Sequence, residues 1–442
     1  MIDVKLLREH KELFYDNCRK RFMDPEPLDR FFALDESWRQ MLKSVNELKH
    51  RKNEISLKIA SLVKAKEDVS SLKNEVREVG ESIDKMELEL ASIDKQRTDV
   101  VRSIPNLVDS SVPVCKGDEN NAIVRYSGSA VVHEDDVSYF KKNTPPGSSF
   151  TVTKDRAVSH VDLLEKLGLI DMARAGKTAG ARFYYLKNRL VKLEMALMNY
   201  AVDFLSERGF TIVEPPFMLN FESMNAVTDL ETFKDALYKI DGEDLFLIAT
   251  AEHPIGAMLK DEILEESDLP LRVAGISPCF RKEAGAHGKD TKGIFRVHQF
   301  NKIEQFVFCK PEHSWDFLEE LLKNAQDFCS SLGIAYRVVN ICSGELSVLN
   351  AKKYDIEAWF PAQGKFREIV SASNNTDYQG RSLNIRYRTK NGNQVVNTLN
   401  STEVATTRML VAIAENFQEK DSGGISVPKV LVPYTGFDFI SS

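Results

Sequence analysis

The stretch Pro278–Gln305, PCFRKEAGAHGKDTKGIFRVHQFNKIEQ, decides the fold of this 442-residue chain. An apolar strand ends in Arg281, a loop of glycine and charged residues follows, and a second strand carries Phe300 and Glu304. Residues two or four apart on a strand share a face, so a hairpin would turn Arg281, Glu283, Phe300 and Glu304 toward one region. A guanidinium matches a phosphate by two parallel contacts, and an aromatic face stacks on a base.

Each of these residues has a simpler explanation when it is taken alone. A single phenylalanine in a strand is usually a core residue, and an Arg-x-Glu pair is usually a surface ion pair of little energetic value. Their joint order in one hairpin, together with two further motifs, favours a binding site.

From about residue 150 onward, the sequence contains both helix-like and strand-like patterns, which is typical of an α+β domain. Residues 184–208 predict an amphipathic helix that ends at Gly209. The runs that predict strands are 210–213, 245–249, 271–276, 295–308, 336–340 and 355–360. Several follow one another across turns, which indicates a mainly antiparallel sheet. The phosphate-binding patterns GxxxxGK[ST] and GxGxxG do not occur, nor do the HIGH and KMSKS sequences of class I synthetases.

Residues 28–102 predict an antiparallel helical hairpin. Apolar residues recur at heptad spacing in two runs: Trp38, Met41, Val45, Leu48, Ile55, Ile59 and Leu62, then Leu72, Val76, Val79, Ile83, Met86, Leu90, Ile93 and Val100. Lys52 and Arg97 occupy the remaining heptad positions. The short break at 64–71 forces the two helices to run antiparallel, as an arm roughly 50 Å long that we expect to project from the rest.

The first helix of this hairpin carries a basic stripe suited to phosphates. Its cations are Lys43, Lys49, Arg51, Lys52 and Lys58, followed by Lys64 and Lys66, against only Glu47 and Glu54. A dimerisation or spacer element is the simpler interpretation of such a hairpin, because solvated helix faces often look like this.

Composition predicts a cytoplasmic protein that does not contact a membrane. Apolar residues make up 43% and charged residues 28%, with a net charge of −7. The chain shows no signal peptide and no apolar run of membrane-spanning length. The cysteines show no zinc spacing, and we expect reduced, mostly buried thiols. They are Cys18, Cys115, Cys279, Cys309, Cys329 and Cys342.

Proline and the end of the heptads predict the domain boundaries. Pro105 ends the second helix, and turn residues such as 144–147 follow. We expect an N-terminal domain at 1–110, a linker at 111–150 and a main domain at 151–442.

The motifs of the main domain resemble those of the class II seryl-tRNA synthetases. The stretch 280–306 resembles motif 2 of that family, and we place the motif at about 278–305. LNSTEVATTRMLVAIAENFQ, at about 399–418, is similar to motif 3. GFTIVEPP resembles motif 1, at about 200–216; TAEHP (250–254) and REIVSASNNTDYQ (367–379) resemble two further blocks. The hairpin then looks like the family's tRNA-binding arm, which would read tRNA shape.

The resemblance implies a role for each matching residue. Arg281 would bridge the ATP α-phosphate and the serine carboxylate, and Arg408 would hold the γ-phosphate. Adenine would contact Glu283, the backbone of Val297 and the ring of Phe300. Glu304 would hold the serine ammonium in a pocket lined by Thr250, Glu252, Asn400 and Thr402. Glu368 and Ser371 would ligate Mg²⁺, and no zinc is expected.

Some details of these motifs carry further expectations. Glu368 and Ser371 are three apart, which in a regular strand puts them on opposite faces, so we expect a bulge or a strand end between them. Glu403 stands where the family often has a small residue and could disturb the pocket. His287 and His298 are not predicted to be catalytic, because the serine carboxylate is already a nucleophile at neutral pH.

The resemblance implies that the chain activates L-serine with ATP and transfers it to the 3′ end of tRNA(Ser), as a homodimer. Whether tRNA(Sec) is also a substrate stays open. One alternative is a class II paralogue that loads a small amino acid onto a carrier or has lost catalysis. Another is a non-enzymatic coiled-coil interaction protein, which leaves residues 150–442 unexplained.

Overall fold

Four helices form the N-terminal part of the chain. The computed structural model describes residues 1–228, 230, 235–284, 290 and 292–441. It divides into two compact units, one of residues 1–19 and 23–105 and one of residues 20–22 and 106 onward. The helices are α1 (Val4–Glu9), α2 (Lys11–Lys20), α3 (Glu26–Lys64) and α4 (Ser70–Ser103).

Helices α3 and α4 confirm the predicted antiparallel hairpin. Every apolar heptad position is buried or half-buried, and Val45, Ile55, Val79, Ile83 and Val100 are the buried ones. The 39 residues of α3 at 1.5 Å each give a length of about 58 Å.

The two polar heptad positions have specific partners in the seam. The Lys52 side chain lies over Gly80, whose missing Cβ leaves room for it. Arg97 binds the buried Asp35 at 2.9 Å and stacks on the Trp38 ring at 4.0 Å from its centroid. The seam between the helices can therefore include these two charged residues, because Lys52 packs against a glycine and Arg97 contacts an acidic and an aromatic residue.

An eight-stranded sheet organises the second unit. Its strands, in sheet order, are β1 (Ala122–Ser127), β10 (Tyr336–Asn340), β11 (Lys352–Phe360), β12 (Lys365–Asn374), β15 (Asn397–Ala405), β9 (Gln299–Cys309), β8 (Leu271–Phe280) and β4 (Thr211–Val213). All neighbours are antiparallel except β4 and β8. The predicted α+β class with an antiparallel sheet is confirmed.

Shorter strands and helices surround this sheet. The remaining strands are β2 (Ala130–His133), β3 (Phe150–Thr153), β5 (Met218–Asn220), β6 (Leu245–Leu247), β7 (Ile263–Glu265), β13 (Arg386–Thr389), β14 (Gly392–Val395), β16 (Ile425–Ser426) and β17 (Phe439–Ile440). The helices are α5 (Val137–Lys142), α6 (His160–Lys166), α7 (Met172–Thr178), α8 (Arg189–Ser206), α9 (Phe221–Val227), α10 (Glu252–Ala257), α11 (Ser314–Ser331), α12 (Tyr378–Ser382), α13 (Thr406–Asn416) and α14 (Val432–Thr435). None of the described helices is long and apolar enough to cross a membrane.

Strand β9 separates two apolar cores. Ile303 and Val307 join a core with α8, α11 and α13, whereas Phe306 and Phe308 join one with α9 and α10. Because successive side chains of a strand alternate between faces, both faces of β9 are covered.

Part of the segment that we expected to be a linker, 111–150, is built into the fold. Strand β1 pairs with β10 at the edge of the main sheet, and β2 pairs with β3. Phe140 of α5 is buried against Trp359. The turn residues in this segment separate short strands, and those strands are too short to give a clear alternating pattern.

Two of the six cysteines correct the expectation of reduced thiols. Cys115 and Cys342 form a disulfide with a Cα–Cα distance of 5.3 Å, within the usual range. The other four, Cys18, Cys279, Cys309 and Cys329, are buried and form no disulfide. Residues 227 apart in sequence come together here because β10 ends beside the segment that precedes β1, a contact that sequence spacing does not reveal.

Gly275 of β8 allows α10 to approach the sheet. A Cβ at this position would lie 2.4 Å from Ile255 Cδ1 and 2.8 Å from Ala251 Cβ. We expect Gly275→Val to destabilise the fold by about 1–3 kcal/mol, the usual cost of overpacking, which a thermal unfolding curve would measure. Gly176→Ala is the control, because nothing lies near its position; equal effects of both variants would contradict this account.

Candidate active site

One cavity of about 390 Å³ brings together most of the residues that the sequence singled out. Its lining includes Thr250, Glu252, Arg281, Glu283, Phe300, Glu304, Glu368, Ser371, Asn400, Thr402 and Arg408. Val297 lines a smaller adjoining cavity together with Arg281, Glu283 and Phe300. Residues from five separate stretches of sequence thus meet on one face of the sheet.

Arg281 is held at the end of β8 by backbone contacts. Its Nε donates to the Ala249 carbonyl at 3.1 Å, and its guanidinium lies 5.3 Å from the centroid of the Phe300 ring. The His298 ring donates from Nδ1 to the Arg281 carbonyl at 2.8 Å. His298 therefore supports the backbone of Arg281.

Glu283 occupies a constrained position beside the smaller cavity. Its backbone has a φ of 51°, which is uncommon for a residue with a side chain. Arg296 Nη1 donates to its carboxylate at 2.9 Å. The carboxylate is thereby oriented, although the sequence did not single out Arg296.

The loop between the two motif 2 strands is described only in part. Within the segment 284–293, residues 285–289 and 291, which include His287, lie outside the described residues. Asp290 is described, and Arg367 Nη1 donates to its carboxylate at 2.8 Å. That contact fixes one point of the loop beside β12.

Two carboxylates share one end of the cavity. The Asn400 amide donates from Nδ2 to Glu252 at 3.0 Å and to Glu304 at 3.1 Å. Thr402 Oγ1 approaches the other oxygen of Glu304 at 3.4 Å. Asn400 Oδ1 is buried without a hydrogen-bond partner among the described residues. An unused acceptor and two carboxylates suit a ligand ammonium or hydroxyl group.

Burial gives Glu252 an unusual protonation equilibrium. Desolvation and the nearby Glu304 raise the pKa of Glu252 to about 7, although Lys302, Gln379 and Arg281 act in the opposite direction. Glu252 therefore changes charge near neutral pH, where an incoming cation would favour the ionised form.

Sequence reasoning missed Lys302 and Gln379 in this pocket. Lys302 forms an ion pair with Glu304, and Gln379 Nε2 donates to Glu252 at 3.0 Å. Lys302 could have been found, because it lies two residues from both Phe300 and Glu304 and so shares their strand face. Gln379 is the last residue of the block 367–379, and the resemblance of that block to the family implied no role for it.

The expected irregularity between Glu368 and Ser371 is present in β12. The strand register shifts there, since Ile356 pairs with Val370 and Glu357 pairs with Glu368. Ile369 is thus the extra residue of a bulge, and Glu368 and Ser371 line the same cavity.

The same cavity also carries positive charge beside Glu368. Arg408 Nη1 lies 3.3 Å from the Glu368 carboxylate and 3.2 Å from its carbonyl oxygen. Burial opposes ionisation of Glu368, but Arg408 and Lys353 hold its pKa well below the usual range. An ionised carboxylate beside the Ser371 hydroxyl supplies the hard oxygen ligands that Mg²⁺ prefers, so the residues present fit that ion.

Glu403 does not disturb the pocket. It lies at a bulge of β15, between Thr402, which pairs with Glu304, and Val404, which pairs with Ile303. Its side chain is fully buried on the side of β15 that faces α11. Gln305 of β9 donates to it from Nε2 at 2.7 Å. Burial raises its pKa well above the usual range, so it is a neutral acid behind the strand.

The basic stripe of the hairpin is partly neutralised. Lys49 lies 2.7 Å from Glu87 and Arg51 lies 2.6 Å from Glu75, both across the seam. Lys43 is 80% exposed and only loosely paired with Glu47 at 3.9 Å, and Lys58 is exposed too. Lys52 lies in the seam over Gly80. The stripe therefore offers fewer unengaged cations than its sequence suggested.

Comparison with known proteins accounts for nearly the whole chain. Residues 1–108 match the family described as "Seryl-tRNA synthetase N-terminal domain". Residues 233–417 match "tRNA synthetase class II core domain (G, H, P, S and T)". The two matches cover the helical hairpin and the cavity, respectively.

Relatives and solved structures extend along the full chain. The serine–tRNA ligases of Picrophilus torridus and Thermoplasma acidophilum are 61% and 64% identical to it, each covering 100% of this chain and 99% of the relative. A crystal structure of seryl-tRNA synthetase from Pyrococcus horikoshii complexed with ATP is 46% identical, with a TM-score of 0.95, over 100% of this chain and 99% of that one. The chain belongs to the seryl-tRNA synthetase family of class II aminoacyl-tRNA synthetases.

Proposed function

We propose that this member of an ATP-dependent family activates L-serine in the cavity on the main sheet and transfers it to the 3′ end of tRNA(Ser). The observation that carries this assignment is that carboxylates and guanidinium groups line one cavity. Glu252 and Glu304 lie at one end, and Arg281 and Arg408 line the same space. An amino acid presents an ammonium and a carboxylate, and ATP presents phosphates, so each group meets its complement.

Positioning and charge stabilisation account for the activation step. The serine carboxylate is ionised at neutral pH and attacks the α-phosphorus, so that pyrophosphate leaves and no protein base is required. Arg281 would contact both the carboxylate and the α-phosphate, and Arg408 would hold the γ-phosphate, where charge develops during transfer. Phe300 would stack on adenine, and Glu283 and the Val297 backbone would contact its edge.

The magnesium ligands in this proposal are Glu368 and Ser371. Mg²⁺ supplies charge neutralisation for the ATP phosphates when it is bound. The bulge at Ile369 supports this assignment, because it turns both oxygen ligands to the face that carries Arg408.

The serine side chain and ammonium would occupy the pocket formed by Thr250, Glu252, Glu304, Asn400 and Thr402. Asn400 joins the two carboxylates and keeps one buried acceptor free of described partners. Alanine would leave such polar groups unpaired, and the extra methyl of threonine would have to fit an enclosed space.

Serine use should weaken as pH falls through about 7. A protonated Glu252 no longer attracts the substrate ammonium, and its pKa is raised to about 7. We therefore expect kcat/KM for serine to rise with pH between about 6 and 8 and then to level off. A pyrophosphate-exchange profile at saturating ATP measures this, and an unchanged kcat/KM across that range would contradict it.

The helical hairpin would bind tRNA through its basic stripe of Lys43, Lys49, Arg51, Lys52 and Lys58. We expect Lys43→Ala with Lys58→Ala to weaken tRNA(Ser) binding and to reduce the slope of log K against log salt by roughly 1–2. Lys390→Ala is the control, since that exposed lysine lies in a turn of the second unit. Unchanged affinity and salt slope in the double variant would contradict the assignment.

We also propose a cytoplasmic homodimer with motif 1, about 200–216, at the interface. Family membership supports both assignments, and tRNA(Sec) is a second candidate substrate for the same arm.

Transfer of labelled serine distinguishes tRNA from a carrier protein as the acceptor. We expect purified protein with ATP and Mg²⁺ to charge tRNA(Ser) and to leave carrier proteins unlabelled. Labelling of carrier protein alone would favour the paralogue alternative. Charging of tRNA(Sec) in the same assay would extend the substrate set.

A further inference from the structure

Lys302 is a buried cation at the ammonium end of the cavity. It lies on β9 with a relative exposure of 7% and lines the cavity. Its ammonium donates to Thr250 Oγ1 at 3.2 Å and pairs with the Glu304 carboxylate. Burying a lysine is costly unless it is paired and hydrogen-bonded. The contacts with Thr250 and Glu304 offset that cost and hold the Lys302 ammonium in one place.

Lys302 connects the two segments that carry the carboxylates. Thr250 Oγ1, which receives the lysine contact, also accepts the backbone N–H of Glu252 at 3.3 Å. Asn400 joins Glu252 to Glu304 from the opposite strand. The lysine and the asparagine thus complete a closed set of contacts around the two carboxylates.

The charges at this end leave room for one further cation. When Glu252 is ionised, the two carboxylates and the Lys302 ammonium leave one negative charge, which a ligand ammonium would neutralise while Arg281 meets the ligand carboxylate. Without Lys302 the two carboxylates would repel each other and retain a proton between them.

We propose that Lys302 is a positioning residue for the amino-acid substrate: it fixes Glu304 and Thr250 and sets the pocket charge so that one α-ammonium completes it. This inference rests on the proposed placement of serine in this pocket. Lys302 acts on the substrate through Glu304 and takes no part in the phosphate chemistry at the Arg408 end.

The test compares serine and ATP kinetics in pyrophosphate exchange for wild type, Lys302→Met, Lys302→Gln and Lys302→Arg. We expect the two neutral variants to raise KM for serine by at least about tenfold, because a buried charged partner is lost. KM for ATP should stay within about threefold of wild type, and Lys302→Arg should recover part of the loss. Lys310→Met is the matched control, because Lys310 follows β9 but pairs with Glu266 at the surface.

A pH profile separates positioning from a purely structural role. The groups around Glu252 are Arg281 from β8, Lys302 and Glu304 from β9, and His253, whose pKa burial lowers to about 3. Loss of Lys302 should move the rise of kcat/KM for serine to higher pH, whereas general destabilisation would not.

Each outcome bears on a distinct conclusion. Equal loss of serine and ATP binding with a lowered unfolding midpoint would overturn the inference, as would an unchanged KM for serine in folded Lys302→Met or Lys302→Gln. If wild type shows exchange that Arg281→Ala loses but the Lys302 variants keep, the role of Lys302 would be refuted and the proposed function would stand. Absence of serine-dependent exchange in wild type would instead refute the proposed function.

Discussion

Arg281→Ala should reduce serine-dependent ATP–pyrophosphate exchange by at least about 10²- to 10³-fold, the usual effect of removing one group that stabilises transition-state charge. Its guanidinium lines the same cavity as the two carboxylates and Arg408 and is oriented by the Ala249 carbonyl. The loss should appear mainly in kcat, since the developing charge on the α-phosphate is greatest in the transition state.

Arg272→Ala is the matched control for this variant. Arg272 lies on the same strand, β8, but pairs with Glu320 at 2.9 Å and does not line the cavity. Comparable losses in the two variants, or near-normal exchange in Arg281→Ala, would contradict the proposed role of Arg281.

Glu304→Gln should lower kcat/KM for serine by about 30- to 1,000-fold, which corresponds to about 2–4 kcal/mol for one partner of a buried charge pair. The variant removes the charge that would meet the substrate ammonium and leaves Lys302 without its ionic partner. KM for ATP should change little, so the defect should concentrate in the serine parameters of the exchange assay.

Glu403→Gln controls for the loss of a buried carboxyl on a neighbouring strand. Glu403 lies behind β15, and its pKa is raised well above the usual range, so its side chain is already neutral. We expect near-normal serine kinetics from this variant. A serine defect as large as that of Glu304→Gln would show that the strand as a whole, rather than the Glu304 charge, determines serine binding.

Regular periodicity made much of the fold predictable from sequence. The heptads of α3 and α4 and the alternating runs of β8, β10 and β11 depend on local spacing, which the chain displays directly. The helix predicted at 184–208 forms as α8, somewhat shorter at each end. The predicted strand 295–308 forms only from Gln299, because its first residues complete the loop beside Arg281.

Other elements have no local signature. Strand β15 is buried along its whole length although it carries Asn400, Ser401, Thr402 and Glu403. Asn400, Thr402 and Glu403 form hydrogen bonds with side chains of other elements, so burial does not select apolar residues there. The strands within 122–153 are short, and the contact of Cys115 with Cys342 joins positions that are remote in sequence.

The candidate site also combines features that the sequence predicted with features that it did not. Motif resemblance singled out the residues around the cavity, and strand spacing required the bulge at Ile369. Gln379 reaches Glu252 only because α12 follows β12 closely in space. The Glu403 side chain points away from the cavity because of a bulge in β15, which sequence alone does not reveal.

Pyrophosphate exchange with ATP and Mg²⁺ across serine, threonine, alanine and glycine tests the central assignment most directly. The charge distribution and enclosure of the cavity predict exchange with serine, with much weaker exchange for the other three amino acids. Folded protein that shows no exchange with any of them, or that prefers another amino acid, would contradict the assignment of this cavity to serine activation.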